Sequence, residues 1–465
     1  MAVAGATIET PLIFRGEPLE QVSHYKYLGV TIHETGGWTV AMKQIAERAR
    51  KQTNAMSKLL VNNQMSPRTR MLVWLAKVRP GMEYGAAAML LNTSQVKQLE
   101  RIQLEAAKRI LGCNRHAASA SVRGDLGLPS IKARFLYYKV SLMGRIHYMK
   151  PERLVAQVWA DRWQPKKHRC FRASIPELKE IVGEPATWPQ TYKQYMDMAR
   201  EKLGNREVQD WRRDVGSKST LATYRLVKKD LEAEPYLNSL PSDGAKLLFK
   251  IRSNTLPLAV ALARGRINVP TACKACGTGE DEDLMHFLTK CPALQAERAQ
   301  LSRNVLAYGV DSAERWQAYC RADPTTQAQA FLGSPCEMLN PSQPKHLLCF
   351  LKQLLQLLKH MWRHRCRLVY GGAHWEAREL ASTAEPDPDM SLTNSTMTTP
   401  TDMATLSPGQ RAQRFLQDFF SLCFQHSPPS PPPSPPAPTA VPLCDTDPSA
   451  PLVPRANGQP PMTVK

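Results

Sequence analysis

The chain runs to 465 residues, long enough for more than one hydrophobic core, and its 43% hydrophobic and 22% charged residues exclude a fibrous or wholly disordered protein. Its 61 Lys and Arg outweigh 41 Asp and Glu, leaving a net charge of +20 whose usual complement is nucleic acid. Neither a leader pattern nor a run of about 18 apolar residues is present, so no membrane partner is expected and the sequence reads as nuclear or cytoplasmic.

Residues 1–38 contain "TPLIFRGEPLEQVSHYKYLGVTI", which alternates apolar and polar residues around Arg15-Gly16. The pattern predicts a β-hairpin followed by a strand, from Ile8 to about Ile32. A hairpin alone is marginal in water, so this piece needs a surface to pack on.

From residue 39 to 150 the period becomes helical. Ile45, Ala49, Met56, Leu59 and Leu60 fall on one side of a helix, and Lys43, Arg50, Lys51 and Lys58 fall within an arc of roughly 100° on the other. A second helix starts at Ser66 as N-cap with Pro67 in its first turn, and Pro80 should end or kink it. The third turns Val96, Leu99, Ile102, Ala106 and Ile110 inward and stops at Gly112. The fourth covers Ile131 to about Met149, with Phe135, Leu142 and Ile146 on its apolar stripe. Residues 41–150 hold 20 Lys and Arg against 5 Asp and Glu, so about three quarters of the net charge sits on this bundle. Exposed lysines often only solubilise, but a face that merely solvates normally mixes both signs.

Residues 151–219, rich in Trp and Pro and with only short helical patterns, read as a connector. Residues 220–310 carry a cysteine cluster, and 311–375 contain a long helix with Leu348, Leu351, Leu355, Leu358 and Trp362 at three- and four-residue spacing. Residues 376–465 are low in complexity, with one short helical candidate, "QRFLQDFFSLCF", and a disordered, extended Pro-rich tail from Ser427. The expected fold is mainly α, with an N-terminal β-hairpin, a basic helical bundle, a small zinc module and the disordered tail.

The cluster is C-x2-C-x9-H-x4-C, formed by Cys273, Cys276, His286 and Cys291. Two thiolates three apart bite a metal from a tight turn, and the His and third Cys return to complete a tetrahedron. Four protein ligands leave no open position, so the implied cofactor is structural Zn2+, contributing about 10–16 kcal/mol of apparent folding free energy to such a unit. The competing reading is a set of buried free thiols. The acidic "GEDED" between the ligands reads as a solvated turn. His360 and His364, with Cys366 nearby, have metal-compatible spacing, but Lys359, Arg363, Arg365 and Arg367 around them favour a basic patch. The remaining eight cysteines are scattered as free thiols.

No phosphate-binding loop, nucleophile elbow or H-E-x-x-H helix occurs, and no two aspartates are adjacent. "EPDPDM", Glu385 to Met390, is the one acidic stretch a nuclease metal site could use, and it lies in low-complexity sequence.

Taken in order, "YKYLGV", the basic helix, "EYG", "LERIQ", "RILG" and "LGLPS" resemble reverse transcriptases of non-LTR (LINE-type) retrotransposons, downstream of the polymerase palm. The cysteine segment resembles the zinc knuckle near the C-terminus of such proteins. The resemblance implies that residues 1–38 are the edge of a palm, residues 39–150 a thumb that grips template and primer, and the zinc segment an accessory module. It also implies palm aspartates holding two metal ions upstream of "YLGV", and this chain starts too late to include them. The expectation is a nucleic-acid-binding fragment (RNA, DNA or hybrid duplex) with no catalytic residue of its own. The alternative is an enzyme subunit completed by a palm-containing polypeptide, or a nuclease using the C-terminal carboxylates.

Overall fold

The computed structural model describes residues 12–157, 175–264, 270–306, 317–318, 321–334 and 344–371, all within one compact unit, Met1–Pro386. The Pro-rich tail, the "EPDPDM" stretch and the "QRFLQDFFSLCF" candidate lie outside the described residues. The described chain is mainly helical, as expected, and no helix in it is long and apolar enough to cross a membrane.

The N-terminal segment forms two successive hairpins where the sequence reading had one hairpin and a strand. Strand β1 (Ile13–Phe14) pairs with β2 (Glu17–Pro18), and β3 (His24–Tyr27) pairs with β4 (Val30–His33). The reason is local: Leu28 and Gly29 both adopt positive φ (46° and 82°), the backbone of a two-residue reversal. Leucine tolerates that region poorly. Tyr84 braces the turn, donating its hydroxyl to the Leu28 carbonyl at 2.6 Å, with its ring close over Gly29. Only β4 finds the packing surface a hairpin needs: Thr31 is buried against the first helix and donates to Gln44 Oε1 at 2.6 Å.

Helix α1 (Thr39–Ala55) and α2 (Ser57–Val61) share the first predicted helical segment, broken at Met56. Ile45, Ala49, Met56, Leu59 and Leu60 are buried as the periodicity requires. Helix α3 (Pro67–Lys77) starts at Ser66, whose side chain accepts the Thr69 amide, and it ends before Pro80, which instead occupies the first turn of α4 (Arg79–Glu83). Asn92 and Gln95 cap α5 (Thr93–Leu111) reciprocally, and Gly112 ends it in the left-handed conformation. Helix α6 (Ser119–Leu126) leads to α7 (Ile131–His147), capped by Ser130.

Two readings need correction. The stripe of α7 is Ile131, Phe135, Leu136, Val140 and Met143, and Leu142 and Ile146 are only half-buried. This helix is covered on two sides: Ile131 and Phe135 enter the main core, while Leu136, Val140 and Met143 enter a second one. That second core comes from the supposed connector. Helix α8 (Ile175–Val182) and the 25-residue α9 (Tyr192–Gly216) pack on α7 through Leu178, Tyr195, Met196 and Leu203. The stripe of α9 is interrupted by Glu207, which is buried because it accepts from Ser130 N (2.7 Å) and Ser130 Oγ (2.9 Å) and pairs with Arg123. A buried glutamate in the apolar row hides the helical period.

Beyond α9 come α10 (Tyr224–Val227), α11 (Tyr236–Ser239), α12 (Ser242–Arg252), α13 (Ala259–Ala263), α14 (Gln295–Leu306), α15 (Pro324–Phe331) and the long α16 (Pro344–Tyr370). The bundle and the cysteine region, distinct segments in the sequence, share one core. It runs from Trp74 and Ile102 through Leu248 and Phe249 to Phe287, Leu354 and Met361. At the crossing of α12 and α16, a Cβ on Gly244 would lie 2.1 Å from Leu355 Cδ2, so only glycine permits this approach. A buried polar tie reinforces the join: Arg252 Nε donates to Asp125 Oδ2 (3.2 Å), Tyr224 and Tyr236 donate to the same carboxylate (2.8 and 2.6 Å), and Arg252 Nη1 reaches the Leu332 carbonyl (2.9 Å). With its acceptors filled from three sides, this fully buried carboxylate meets the condition under which a buried charge is tolerated.

Candidate metal centre and basic face

Cys273 and Cys276 sit on a tight hairpin closed by Cys273 N to Glu280 O and Glu282 N to Thr271 O, both 2.7 Å. The reversal that follows Cys276 passes through Gly277 and Gly279 at φ 68° and 80°, a region open to glycine. The chain then forms one wide helical turn, His286–Lys290, after which Cys291 N bonds back to His286 O at 2.7 Å. This turn returns the third thiol to the first two.

The four donor atoms of Cys273, Cys276, His286 and Cys291 lie within 4.8 Å of one another. Cys273 Sγ is 4.0 Å from Cys291 Sγ, and Cys276 Sγ is 3.5 Å from His286 Nε2. A tetrahedron with Zn–S of about 2.3 Å and Zn–N of about 2.0–2.1 Å has edges of about 3.8 Å between sulfurs and about 3.6 Å between sulfur and nitrogen. The set therefore fits a metal ion and is compatible with zinc. His286 Nδ1 lies 2.9 Å from Glu280 Oε2, so the tautomer that donates its Nδ1–H to this carboxylate leaves the Nε2 lone pair for the ion.

The surroundings of the thiols pull in opposite directions. Burial, then the neighbouring Cys273, pushes Cys291 up to about 12. At Cys276 burial acts in the same direction, but hydrogen bonds from the Thr278 hydroxyl and amide outweigh it and bring the group to about 6. A divalent ion removes the conflict by binding the thiolates together.

The acidic turn does more than face water. Glu280 orients His286, Asp283 caps the His286 amide (2.7 Å), and Glu282 is buried in a two-pronged pair with Arg365. Arg365 is thereby removed from the basic patch expected on α16. His360 and His364 do not converge: His364 is held by Glu297, and His360 lines an open cleft of about 700 Å3 with Arg363 and Gln356. Among the described residues the Cys3His set is the one grouping suited to a metal.

Lys43, Arg50 and Lys51 are exposed on α1, and Lys58 is exposed on α2, across the break at Met56. The four cations thus share the exposed side of two short helices, not one. Lys51 is partly neutralised by Glu47 at 2.9 Å. The other acids of residues 41–150 are mostly turned inward. Glu83 forks Arg134 (2.7 and 2.8 Å), Glu100 accepts the Ile131 amide (2.6 Å), and Asp125 is fully buried, which leaves Glu47 and Glu105 as the exposed ones. The exposed charge of the bundle is more one-signed than the sequence count.

Glu280 as the orienting carboxylate was missed in the sequence. Its signal was the placement of acids six and three residues before the histidine. Compared with known proteins, the chain matches no family model and no curated sequence.

Proposed function

We propose that the chain is the nucleic-acid-binding part of a reverse transcriptase of the non-LTR type, a thumb-like basic bundle braced by a structural zinc centre. The observation that carries the reading is the segregation of charge. Partners within the fold take up Glu83, Glu100 and Asp125, while Lys43, Arg50, Lys58, Lys97, Arg101 and Arg109 stay exposed. Such a surface attracts phosphates without reading sequence. Zinc with four protein ligands has no open position, so its part is to hold the hairpin and not to activate water. Polymerisation requires carboxylates at a primer end, and this reading assigns none of the described carboxylates to that role. The test is a salt titration of duplex binding by the full chain, wild type against the variant with Lys43, Arg50, Lys51 and Lys58 all replaced by Gln. A shallower dependence on salt in the variant, at unchanged helicity, is the expected result. An unchanged slope would reduce the face to a solvated one.

A further inference from the structure

Arg70, in the first turns of α3, is fully buried, and among the described residues no carboxylate pairs with it. Its Nη1 donates to the Leu60 carbonyl at 2.7 Å and its Nη2 to Ser242 Oγ at 2.6 Å, while Nε has no partner. The network continues outward. Ser242 Oγ donates to Asn63 Oδ1 (3.4 Å), and the same oxygen accepts from Lys246 Nζ (2.7 Å). Asp243, the acid beside Lys246 on α12, is engaged by Lys359 at 2.6 Å.

Two cations therefore end on a carbonyl, a hydroxyl and an amide oxygen, none of which carries a full negative charge. A buried cation without a counterion costs several kcal/mol, and a ligand that binds only the folded state offsets such a cost. The strain is visible at Lys246, whose ammonium is pushed down to about 8 by burial first and then by Arg70 and Lys250. The Leu60 carbonyl lies at the end of α2, but a helix of five residues supplies little dipole.

We propose that this network is an anion site for a phosphate group, with Lys246 and the side-chain amide of Asn63 as its outer contacts and Arg70 and Ser242 as its buried half. Asn63 is exposed and its Oδ1 is occupied by Ser242 and Lys246, while its NH2 group carries two further donors. Lys246 adds two further donors from its ammonium. Several donors beside two cations suit the tetrahedral oxygens of phosphate better than a planar carboxylate. The site adjoins the basic face. The chain of Lys246 lies against Gly112 at the end of α5, and Arg109 in the preceding turn bonds Asn54 of α1 at 3.5 Å.

The phosphate comes either from a nucleic-acid backbone, which rests on the proposed function, or from a free phosphate ion, which does not. The experiment titrates the full zinc-loaded chain with inorganic phosphate and, separately, with a duplex oligonucleotide, for wild type, Lys246→Gln and Asn63→Ala. Lys246→Gln is expected to weaken at least one probe by tenfold or more and Asn63→Ala to weaken it severalfold, with melting in phosphate-free buffer no lower for Lys246→Gln than for wild type. A loss confined to the duplex, with a salt slope shallower by about 0.9, assigns the site to backbone phosphate. Saturable phosphate binding that depends on Lys246, in a chain that binds no duplex, keeps the site and removes the nucleic-acid reading. If neither probe responds to either variant while the α1 and α2 substitutions still weaken duplex binding, the site is overturned and that reading stands.

Discussion

Arg365 closes its fork on Glu282, Nε to Oε1 at 2.7 Å and Nη2 to Oε2 at 2.6 Å, with both side chains only 3% exposed. The second oxygen also accepts the Ala259 amide at 2.8 Å. One carboxylate thus joins the metal hairpin to α16 and to the start of α13, beside the edge-to-face contact of Phe287 on Trp362. Removing one partner leaves a buried charge unpaired, so Glu282→Ala is expected to cost about 3–5 kcal/mol in denaturant unfolding. Replacing both, with Leu for Glu282 and Met for Arg365, should cost much less than the single change. Equal losses in the two variants would show that the pair matters for packing and not for charge.

Metal removal should be felt beyond the hairpin. Cys273 and Cys291 are members of the main core, so a chelator is expected to speed amide exchange in residues 270–300 and also in α16, while α5 stays protected. One zinc per chain should copurify, and Cys276→Ser should lower that content. Glu280→Ala is the finer probe: losing the carboxylate that orients His286 is expected to weaken zinc by about 10–100-fold in a competition with a chromophoric chelator, with the fold retained. Unaltered affinity would leave Glu280 as a surface residue that happens to meet the imidazole.

The elements legible in the sequence were those whose local signals agree. Ser66 with Pro67, and the long apolar period ending at Gly112, gave α3 and α5 nearly to the residue, and the spacing of the three cysteines and His286 pointed to the one grouping among the described residues that could hold a metal ion. Hidden elements had a polar residue where the period demands an apolar one. Glu207 masks α9, and Arg365 and Glu282 read as surface charges until the fold brings them together across 83 positions. Periodicity cannot report a buried pair, because each half alone looks solvated. Nor could it separate the faces of α7, since a helix covered on two sides has no single stripe.

On the basic face the four cations are not equivalent. Lys51 is held by Glu47, whose carboxyl is kept below its ordinary range by that hydrogen bond and charge, whereas among the described residues neither Arg50 nor Lys58 forms an ion pair. Arg50→Gln should therefore weaken duplex binding more than Lys51→Gln, and Glu47→Gln should strengthen it. At about 0.9 per phosphate, the quadruple variant should lose up to about 3.6 units of salt slope. Equal effects of Arg50→Gln and Lys51→Gln in a filter-binding series would contradict this ranking.

Lys246 gives a pH signature. Its folded-state value of about 8 lies below the ordinary 10.5, so between those values the unfolded chain binds more protons and stability rises with pH. Below about 8 both states are charged and the unfavourable burial is present in full. The groups facing it are Arg70 and Lys250, which depress it, and Asp243, which opposes them weakly. Lys246→Met is expected to be more stable than wild type at pH 7 in phosphate-free buffer and to lose the rise above pH 8. A wild-type melting temperature flat from pH 8 to 10 would contradict the assigned environment.

The paired hairpins are weakly anchored to the rest of the described chain. Ile13 is 70% exposed, Phe14 60% and Leu28 72%, and β1, β2 and β3 have no buried residue, whereas β4 is fixed to α1 by Thr31 and Gln44. A strand with open backbone groups and apolar side chains in water is a template for another strand. Amide exchange should therefore be fast through residues 13–27 and slower at Thr31 and Ile32. Self-association should grow with concentration and be suppressed by Phe14→Lys, which leaves every buried contact intact. Tyr84→Phe separates local order from association, because it removes the hydroxyl bond to Leu28 without touching the exposed apolar side chains. It is expected to speed exchange at β3 and β4 and to leave the association constant unchanged. Uniformly slow exchange over residues 13–33 in a monodisperse monomer would show that the hairpins hold themselves and that their apolar face needs no cover.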